Sequence, residues 1–241
     1  MPHIHRFFAR PDELDKGTIT LRDEEAHHAL HVTRVRQGDT VVAFDGRGQS
    51  WQGEVVSTTR HEVVVRVQEE RTAPPPATRV TLLQAWLHRE KPVEELIRRG
   101  TELGVSRFVF FPSAHSERKP QITAKWARWA VESCKQCGRL WLPELWVVAD
   151  LGAALKEAQG PTIVATRDAP PRPLRSALHG AAATLLVGPE GDFEAAEIRQ
   201  ALEAGAVPIS LGEAVYRSEV AATLAISLIQ YELGKLGPLP E

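Results

Sequence analysis

The sequence has little that would mark it for a membrane or for export. Its longest apolar run, Val220 to Ile229, falls well short of the roughly 20 residues that span a bilayer. The opening segment MPHIHRFFARPDE carries charged side chains and no apolar stretch, which argues against a secretory signal. We therefore expect a soluble, cytoplasmic protein without a membrane partner.

Cysteine is also scarce, because Cys134 and Cys137 in the segment CKQC are the only two. Their spacing suits a redox pair or half of a zinc site, but no second pair exists to complete a four-ligand site. The segment from Lys125 to Cys137 instead places tryptophans and small residues at helical spacing. We expect both cysteines on a packed helix face, and we predict no metal.

A surplus of positive charge is missing as well. The formal net charge is −2 at pH 7, which gives no general basic signature, so any RNA contact must rely on local clusters of arginine and histidine. The rest of the composition, with 43% hydrophobic and 25% charged residues, is that of an ordinary globular protein. The length of 241 residues exceeds one common domain, so we expect two.

The first 70 residues predict a small β-barrel. The β-prone runs, separated by turn signals, are Phe7 to Phe8, Thr18 to Leu21, Thr40 to Phe44, Trp51 to Ser57 and Glu62 to Val67. One helix is predicted to begin at Asp23, because acidic residues favour the first turn of a helix. Three consecutive prolines in EERTAPPPA fix an extended chain, so residues 71–77 are the predicted linker.

Residues 78–241 alternate between strands and helices, a pattern typical of an α/β domain with a mostly parallel sheet. The predicted strands are Val80 to Ala85, Val105 to Phe111, Thr162 to Ala165, Thr184 to Val187 and Val207 to Leu211, and the predicted helices are Pro92 to Leu103, Trp126 to Cys137, Glu194 to Ala204 and a final long helix. In such sheets a ligand binds beyond the carboxyl ends of the strands. Three loops there carry small residues that let the backbone approach a ligand: those at Thr166, at Gly188 and from Ser210 to Arg217.

The turn Gly188-Pro189-Glu190-Gly191 joins a strand to a helix, as phosphate-binding loops do. It lacks the Lys and Ser or Thr of a P-loop and the third glycine of the dinucleotide fingerprint. Asp192 and Glu194 at the helix start would repel a phosphate. We therefore expect a ligand that is uncharged or cationic at this point, and the alternative is a plain structural turn.

Six motifs in order carry a resemblance to a known family: HRFF, EAHHALHVTRVRQGD, TELGVSRFVFFPSAHSER, ESCKQCGR, LLVGPEGDF and ISLGEAVYRSEVAA. With these motifs the sequence closely resembles the RsmE family of 16S ribosomal RNA uracil-N3 methyltransferases, within the SPOUT superfamily. The match spans most of the chain. Glu213-Ala214 departs from the family pattern, in which an arginine-containing stretch is expected.

The resemblance implies a PUA-like RNA-binding barrel in residues 1–70 and an α/β SPOUT methyltransferase domain in residues 78–241, with a C-terminal trefoil knot. It also implies a homodimer, S-adenosylmethionine as cofactor, and 16S rRNA in the small ribosomal subunit as substrate, methylated at N3 of uridine 1498. The residues that it assigns to the cofactor are Thr166, Leu186, Val187, Gly188, Glu190, Gly191, Ser210, Leu211, Gly212, Val215, Tyr216 and Arg217.

Three residues are the catalytic candidates. A sulfonium methyl group is already electrophilic, so the protein must mainly deprotonate the uracil N3 and align the base. Arg217 stays protonated and can hydrogen-bond a uracil carbonyl as negative charge develops. Glu190 or Glu219 can accept the proton. A surface ion pair between Arg217 and one of these carboxylates is the alternative.

For RNA contact we predict arginines that can bind phosphates, with a lysine and three histidines near them in the sequence. The arginines are Arg6, Arg10, Arg34, Arg36, Arg118 and Arg139, and the neighbouring residues are Lys119, His27, His28 and His31. Two other functions stay open. One is a non-catalytic ribosome-binding or RNA-binding dimer, which a cofactor titration would distinguish. The other is a nucleotide-hydrolysing protein, which the missing P-loop residues disfavour.

Overall fold

A computed structural model describes residues 4–116, 120–167 and 169–236. The chain divides into two compact units, the first made of Met1–Pro76 with Val131–Leu142 and the second of Ala77–Ala130 with Pro143–Glu241. The sequence predicted one division, at residues 71–77. The structure differs in two ways, because the last strand of the first unit continues to Thr72 and because residues 131–142 pack with that unit.

Six strands form the sheet of the first unit. They are β1 (His5–Phe8), β2 (Leu14–Asp15), β3 (Thr18–Leu21), β4 (Thr40–Phe44), β5 (Gln49–Thr58) and β6 (Val63–Thr72). Their order is β1-β4-β5-β6-β3-β2, with β1 parallel to β4 and every other pair antiparallel. All five predicted strands are present, and β3 and β4 have the predicted bounds.

Alternation of side chains builds the core of this unit. Ile19 and Leu21 in β3 are buried, whereas Thr18 and Thr20 between them are only half-buried, as expected for a strand with one face inside. The pairing of β5 with β6 shifts register at Gly53, a bulge that bends the long hairpin. A Cβ at Gly53 would lie 2.4 Å from the carbonyl oxygen of Arg66, so only glycine fits there.

The helix predicted at Asp23 is confirmed as α1 (Asp23–His27), and a π-helical turn continues it over His28–Val32. Lys135, from the segment 131–142 of the same unit, is buried beside it. The ammonium nitrogen of Lys135 lies 3.1 Å from Glu25 Oε1 and 2.8 Å from His28 Nδ1. Because a buried charge is costly unless it is paired, this cluster fixes the segment 131–142 against α1.

Burial shifts the pKa values of Glu25 and His28 in opposite directions. Desolvation raises the pKa of Glu25, although the charge of Lys135 opposes the shift. Desolvation lowers the pKa of His28, and the charge of Lys135 lowers it further. The unprotonated Nδ1 of a neutral His28 can accept a hydrogen bond from the Lys135 ammonium group. His28 is therefore a packing residue of the first unit as well as a candidate for RNA contact.

The second unit alternates strands with helices, as predicted. Its elements are β7 (Arg79–Ala85), α2 (Glu90–Glu102), β8 (Val105–Phe111), α3 (Ala124–Cys137), β9 (Glu144–Val147), α4 (Leu151–Lys156), β10 (Thr162–Ala165), α5 (Leu174–Ala177), β11 (Ala182–Val187), α6 (Ala195–Glu203), β12 (Val207–Ile209) and α7 (Ser218–Glu232). The last seven residues of α3 are counted with the first unit. The short elements β9, α4 and α5 were missed, because four to six residues carry too little periodicity.

The six strands of this unit are all parallel, in the order β12-β10-β11-β7-β8-β9. Helices cover both faces of such a sheet, so its strands are apolar throughout, and every residue from Val80 to Ala85 is buried. The chain leaves β7 toward β8 and β9 but later returns to build β10, β11 and β12 on the other side. A crevice is expected at this reversal, outside the carboxyl ends of β7 and β11.

The apolar segment Val220 to Ile229 lies within α7, and α7 packs against α2 and β11. Across residues 4–116, 120–167 and 169–236, no helix has both the length and the apolar character that a membrane span requires.

Candidate functional site

A cavity of about 170 Å³ lies at the carboxyl edge of the parallel sheet. It is lined by residues from the loops that follow β10, β11 and β12 and from the first turns of α7. These residues are Ala165, Thr166, Arg167, Val187, Gly188, Pro189, Glu190, Asp192, Leu211, Gly212, Ala214, Val215, Tyr216, Ser218 and Ala221. The three loops selected from the sequence thus meet around one cavity.

A buried amide holds the β11 loop in place. Gln84, near the end of β7, is completely buried, and its Nε2 lies 3.1 Å from the carbonyl oxygen of Gly188 and 2.9 Å from Ser218 Oγ. The hydroxyl of Ser218 donates to the same Gly188 carbonyl. These bonds connect β7, the loop after β11 and the start of α7, so one side chain positions two parts of the cavity wall.

A second set of hydrogen bonds joins the loop after β11 to the segment that follows β7. The backbone N–H of His88 donates to both carboxylate oxygens of Glu190, at 3.1 and 3.2 Å. Glu190 is exposed on its other side and lines the cavity. The carboxylate is therefore held in one place by the backbone while it keeps acceptor capacity for a ligand.

The loop after β8 braces the far end of this turn. His115 Nδ1 lies 2.9 Å from the carbonyl oxygen of Asp192, and the N–H of Ala114 donates to Glu197 at 3.0 Å. Hydrogen bonding to the Asp192 carbonyl, together with the charge of Glu194, raises the pKa of His115 despite some desolvation. Asp192 itself has a left-handed backbone, with φ at 62°. The turn is thus held from both sides in a conformation that few residues adopt.

The loop after β12 is more open. Ser210 Oγ accepts the N–H of Gly212 at 3.1 Å, and Gly212 has a φ of 104°, which favours glycine. Beyond it, the side chain of Val215 is 78% exposed and that of Tyr216 is 39% exposed. Such apolar exposure in a cavity wall is typical of a surface that a ligand or another chain covers.

The charge in the cavity fits the expected ligand. Two carboxylates, on Glu190 and Asp192, and one guanidinium, on Arg167, line it. The remaining side chains are mainly small or apolar. The wall therefore favours a ligand that carries a positive charge, and the sequence-based expectation of an uncharged or cationic ligand agrees with this distribution.

The predicted cofactor residues divide into two groups. Eight of the twelve line the cavity: Thr166, Val187, Gly188, Glu190, Leu211, Gly212, Val215 and Tyr216. The other four are Leu186, Gly191, Ser210 and Arg217, and they do not. Leu186 follows the alternation of its strand, because Val187 faces the cavity whereas Leu186 is completely buried in the core with Leu83 and Phe111.

The three catalytic candidates occupy different surroundings. Arg217 is exposed at the N-cap of α7, between the lining residues Tyr216 and Ser218. Glu219 is buried, with 8% exposure, and stands outside the cavity lining. Considering only the parts of the chain that the structure describes, Arg217 forms no ion pair with Glu190 or Glu219. Which carboxylate accepts a proton stays a prediction.

The cofactor residues assigned from the sequence omit seven described residues that line the cavity, although Pro189, Asp192 and Ala214 lie in segments that the sequence analysis selected. The seven are Ala165, Arg167, Pro189, Asp192, Ala214, Ser218 and Ala221. Most are chain neighbours of residues that were selected. Gln84 was missed for another reason, because its bonds join residues more than a hundred positions apart. One signal was available, namely a polar residue at the end of the apolar strand VTLLQA.

The RNA candidates that can be placed all belong to the first unit. Arg6, Arg10, Arg34 and Arg36 are exposed, and Arg10 pairs with Asp23 at 3.1 Å. Arg139 is half-buried, and desolvation lowers its pKa. Arg118 and Lys119, like Asp168 in the loop after β10, lie outside the described residues.

The positions of the histidines and cysteines show neither a reactive thiol at Cys134 nor a cluster of metal ligands within the described residues. The rings of His27 and His31 lie 4.7 Å apart, one helical turn from each other. Cys134 is buried on a packed helix face as expected, but Cys137 is exposed, so that expectation was wrong for Cys137. Burial raises the pKa of Cys134 to about 12. That thiol is not reactive at neutral pH. No cluster of three or more potential metal ligands occurs within the ranges that the structure covers.

Comparisons with known proteins match both units. A family model described as an RNA methyltransferase domain matches residues 74–230, and a model described as an RNA methyltransferase PUA domain matches residues 21–68. The chain is 28% identical to the Ribosomal RNA small subunit methyltransferase E of Synechocystis, over 93% of this chain and 77% of that protein. It is 25% identical to the protein of the same name from Bacillus subtilis, over 89% of this chain and 90% of the other.

Two solved structures are similar over nearly their whole length. A Ribosomal RNA small subunit methyltransferase E from Neisseria gonorrhoeae, bound to S-adenosyl methionine, matches with a TM-score of 0.81 and 26% identity over 95% of this chain and 98% of that chain. A probable rRNA-methyltransferase from Porphyromonas gingivalis matches with a TM-score of 0.85 and 28% identity over 96% and 99%. The resemblance drawn from the motifs is confirmed, and so is the α/β fold preceded by a PUA-like domain. The knot stays a prediction.

The role assigned to Gln84 can be tested by Gln84→Leu. We expect a loss of about 1 to 3 kcal/mol in the free energy of unfolding, because the carbonyl of Gly188 and the hydroxyl of Ser218 lose a buried partner. Hydrogen exchange of the backbone at residues 188–192 should accelerate. Gln230→Leu removes another buried amide, which bonds Leu103 instead, and should leave that exchange unchanged. Equal exchange in both variants would contradict this role.

Proposed function

The chain belongs to the RNA methyltransferase family, and we propose that it transfers the methyl group of S-adenosylmethionine to N3 of a uridine in 16S ribosomal RNA. By resemblance the uridine is 1498 of the small ribosomal subunit. The observation that carries the proposal is the meeting of three loops around one cavity at the carboxyl edge of the sheet. The names of the relatives and the bound S-adenosyl methionine in the Neisseria gonorrhoeae structure support the reaction class and the cofactor.

The side chains that line the cavity suit S-adenosylmethionine. Apolar side chains of Val187, Leu211 and Val215 offer contacts for an adenine ring, and the carboxylates of Glu190 and Asp192 suit a cation. When bound, this cofactor supplies an electrophilic methyl group on a positively charged sulfur. A ligand that contains phosphate groups would be repelled by the carboxylates of Glu190 and Asp192, which disfavours nucleotide hydrolysis.

The remaining chemistry falls to side chains of the protein. The uracil N3 must lose its proton before it can attack, and Glu190 is the better placed acceptor because it lines the cavity and Glu219 does not. The His88 N–H holds the Glu190 carboxylate in a fixed position. Arg217 would donate hydrogen bonds to a uracil carbonyl and stabilise the anion that forms.

RNA binding is assigned to the first unit. Its exposed arginines, at positions 6, 10, 34 and 36, can contact phosphates without reading the sequence. Arg34 and Arg36 are adjacent to the π-helical turn, whereas Arg10 already pairs with Asp23. Arg34 is exposed and, among the described residues, has no ion pair like that of Arg10, so we choose it for the test.

A homodimer is part of the proposal, because one face of α7 is apolar and uncovered. Val220, Leu228 and Tyr231 are 37%, 39% and 61% exposed, at spacings that place them along one side of the helix. The opposite side is buried in the unit, at Ala222, Ala225, Ile226 and Ile229. A second copy of the chain is the proposed cover for this face.

Methyl transfer itself is the first test. Small ribosomal subunits that lack the modification are incubated with labelled S-adenosylmethionine, and the rRNA is digested and its nucleosides identified by mass spectrometry. We expect 3-methyluridine at one position. RNA binding with neither cofactor binding nor methyl transfer would favour a non-catalytic RNA-binding dimer.

If Arg217 acts in the methyl-transfer step, its removal should lower turnover much more than it weakens the affinity for S-adenosylmethionine. Arg217→Ala should lower kcat by about 100-fold, as loss of a donor to a developing anion does, while the Kd for S-adenosylmethionine changes by less than about threefold. Arg199→Ala, on the exposed side of α6, is the matched control and should keep full turnover. Unchanged turnover in folded Arg217→Ala would remove this residue from the mechanism.

Charge reversal tests the RNA surface. Arg34→Glu should weaken rRNA binding and reduce the slope of log K against log salt by about 1, because one phosphate contact is lost. Arg71→Glu changes an exposed arginine in β6 of the same unit and serves as control. If both variants bind alike, with the same salt dependence, RNA uses another surface.

The oligomeric state tests the face on α7. Light scattering of the eluting protein should give a dimer for the wild type and a monomer for Tyr231→Glu, since a charge would be buried against an apolar surface. Glu203→Lys, on α6, should remain dimeric. A dimeric Tyr231→Glu variant would place the contact elsewhere.

A further inference from the structure

A second groove opens in the same unit as the cavity. Its main lining residues are Trp86, His88, Val93, Gln121, Thr123 and Trp126. None of them lines the cavity proposed for the cofactor. We propose that this groove receives the target base, turned out of the RNA and stacked on Trp86. The inference rests on the proposed methyltransferase function and adds to it the site of the nucleobase.

The aromatic side chains supply a stacking platform. Trp86 is half-buried, and its ring is stacked on that of Trp126 with centroids 5.7 Å apart and an interplanar angle of 24°. Phe110 meets Trp86 edge-on at 6.0 Å. Because Trp126 covers one face of the Trp86 ring, the exposed part of that ring is presented to the groove. Flat, rigid aromatic surfaces of this kind bind unstacked RNA bases.

The groove is connected to the proposed reaction centre by a short path. His88 lines the groove, and its backbone N–H binds the carboxylate of Glu190, which lines the cavity. The carbonyl of Trp86 accepts a hydrogen bond from Ser116 Oγ at 3.2 Å, which fixes the chain at that point. The groove and the proposed proton acceptor are therefore joined through one residue, His88.

Polar groups at the rim suit the edge of a pyrimidine. Gln121 and Thr123 are exposed and together offer donors and acceptors that can pair with imide oxygens and N–H. Glu90 also lines the groove, but Lys125 neutralises it with a hydrogen bond of 2.9 Å. Among the described residues, the groove thus presents no uncompensated carboxylate to an approaching phosphate backbone.

Two other occupants are less consistent with these features. An apolar protein segment would offer no hydrogen-bond partners to Gln121 and Thr123 at the rim. The adenine of the cofactor is also aromatic, but the cavity proposed for the cofactor has its own apolar wall at Val187 and Leu211. A base that leaves the RNA stack to be methylated loses its stacking on adjacent bases. Stacking on an aromatic side chain of the protein compensates for that loss.

The test compares Trp86→Ala with Trp86→Phe and with Trp146→Ala. Trp146 is a partly exposed tryptophan on β9 that stacks on Arg107 and lines neither cavity. Trp86→Ala should lower kcat/KM for the rRNA substrate by about tenfold or more, while Trp86→Phe keeps a ring and stays within about threefold of wild type. The Kd for S-adenosylmethionine should be unchanged in all three variants. Trp146→Ala should match the wild type in every measurement.

A second approach covers the case in which Trp86→Ala fails to fold. An rRNA fragment with 4-thiouridine at the methylated position is irradiated with the wild-type enzyme, and the cross-linked peptide is mapped. We expect cross-links within residues 86–93 or 120–126. Gln121→Ala, which changes an exposed side chain, should lower kcat/KM without loss of stability.

The outcomes separate this inference from the proposed function. A folded Trp86→Ala variant with wild-type kcat/KM, or cross-links confined to other segments, would overturn the groove as the base site. A weakened Kd for S-adenosylmethionine in Trp86→Ala would assign the groove to the cofactor and would overturn it equally. Failure of the wild-type chain to methylate any rRNA would instead remove the proposed function.

Discussion

One buried side chain holds the site together. The amide of Gln84 binds the carbonyl of Gly188 and the hydroxyl of Ser218, and so joins the central strand, the glycine turn and the last helix at the point where the strand order reverses. A buried N–H group is costly unless its hydrogen bond is made, so the bonds of the Gln84 Nε2 group favour one arrangement of the three segments. The shape of the cavity follows from that arrangement, because its walls are the loops that these bonds position.

Charge then selects what the cavity can hold. Its carboxylates, on Glu190 and Asp192, exclude the phosphate ligands that glycine turns at helix starts usually bind. They suit a cation, and the same Glu190, held by the backbone of His88, is available to accept a proton. In the function we propose, this single turn would serve both cofactor selection and catalysis. His88 also lines the groove at Trp86, so in our proposal this residue would stand between the base and the cofactor.

The extent to which the sequence predicts the structure depends on how far apart the contacting residues are. Local signals sufficed for β3, β4, β8 and β10, whose bounds agree with the pattern of apolar residues. The loops of the cavity could be selected because the carboxyl ends of parallel strands meet at one edge. Contacts between distant residues carry no local signal. Gln84 with Ser218, and Lys135 with Glu25, were therefore missed, and so was the packing of residues 131–142 with the first unit.

The central claim is that this cavity binds S-adenosylmethionine, and a calorimetric titration of the folded chain with that compound tests it most directly. The account predicts saturable heat with one site per chain and loss of that heat in Gly188→Val, because a side chain there would crowd Asp192 and Phe193 across the turn. A wild-type chain that is folded yet gives no heat at millimolar concentrations of the compound would contradict the account.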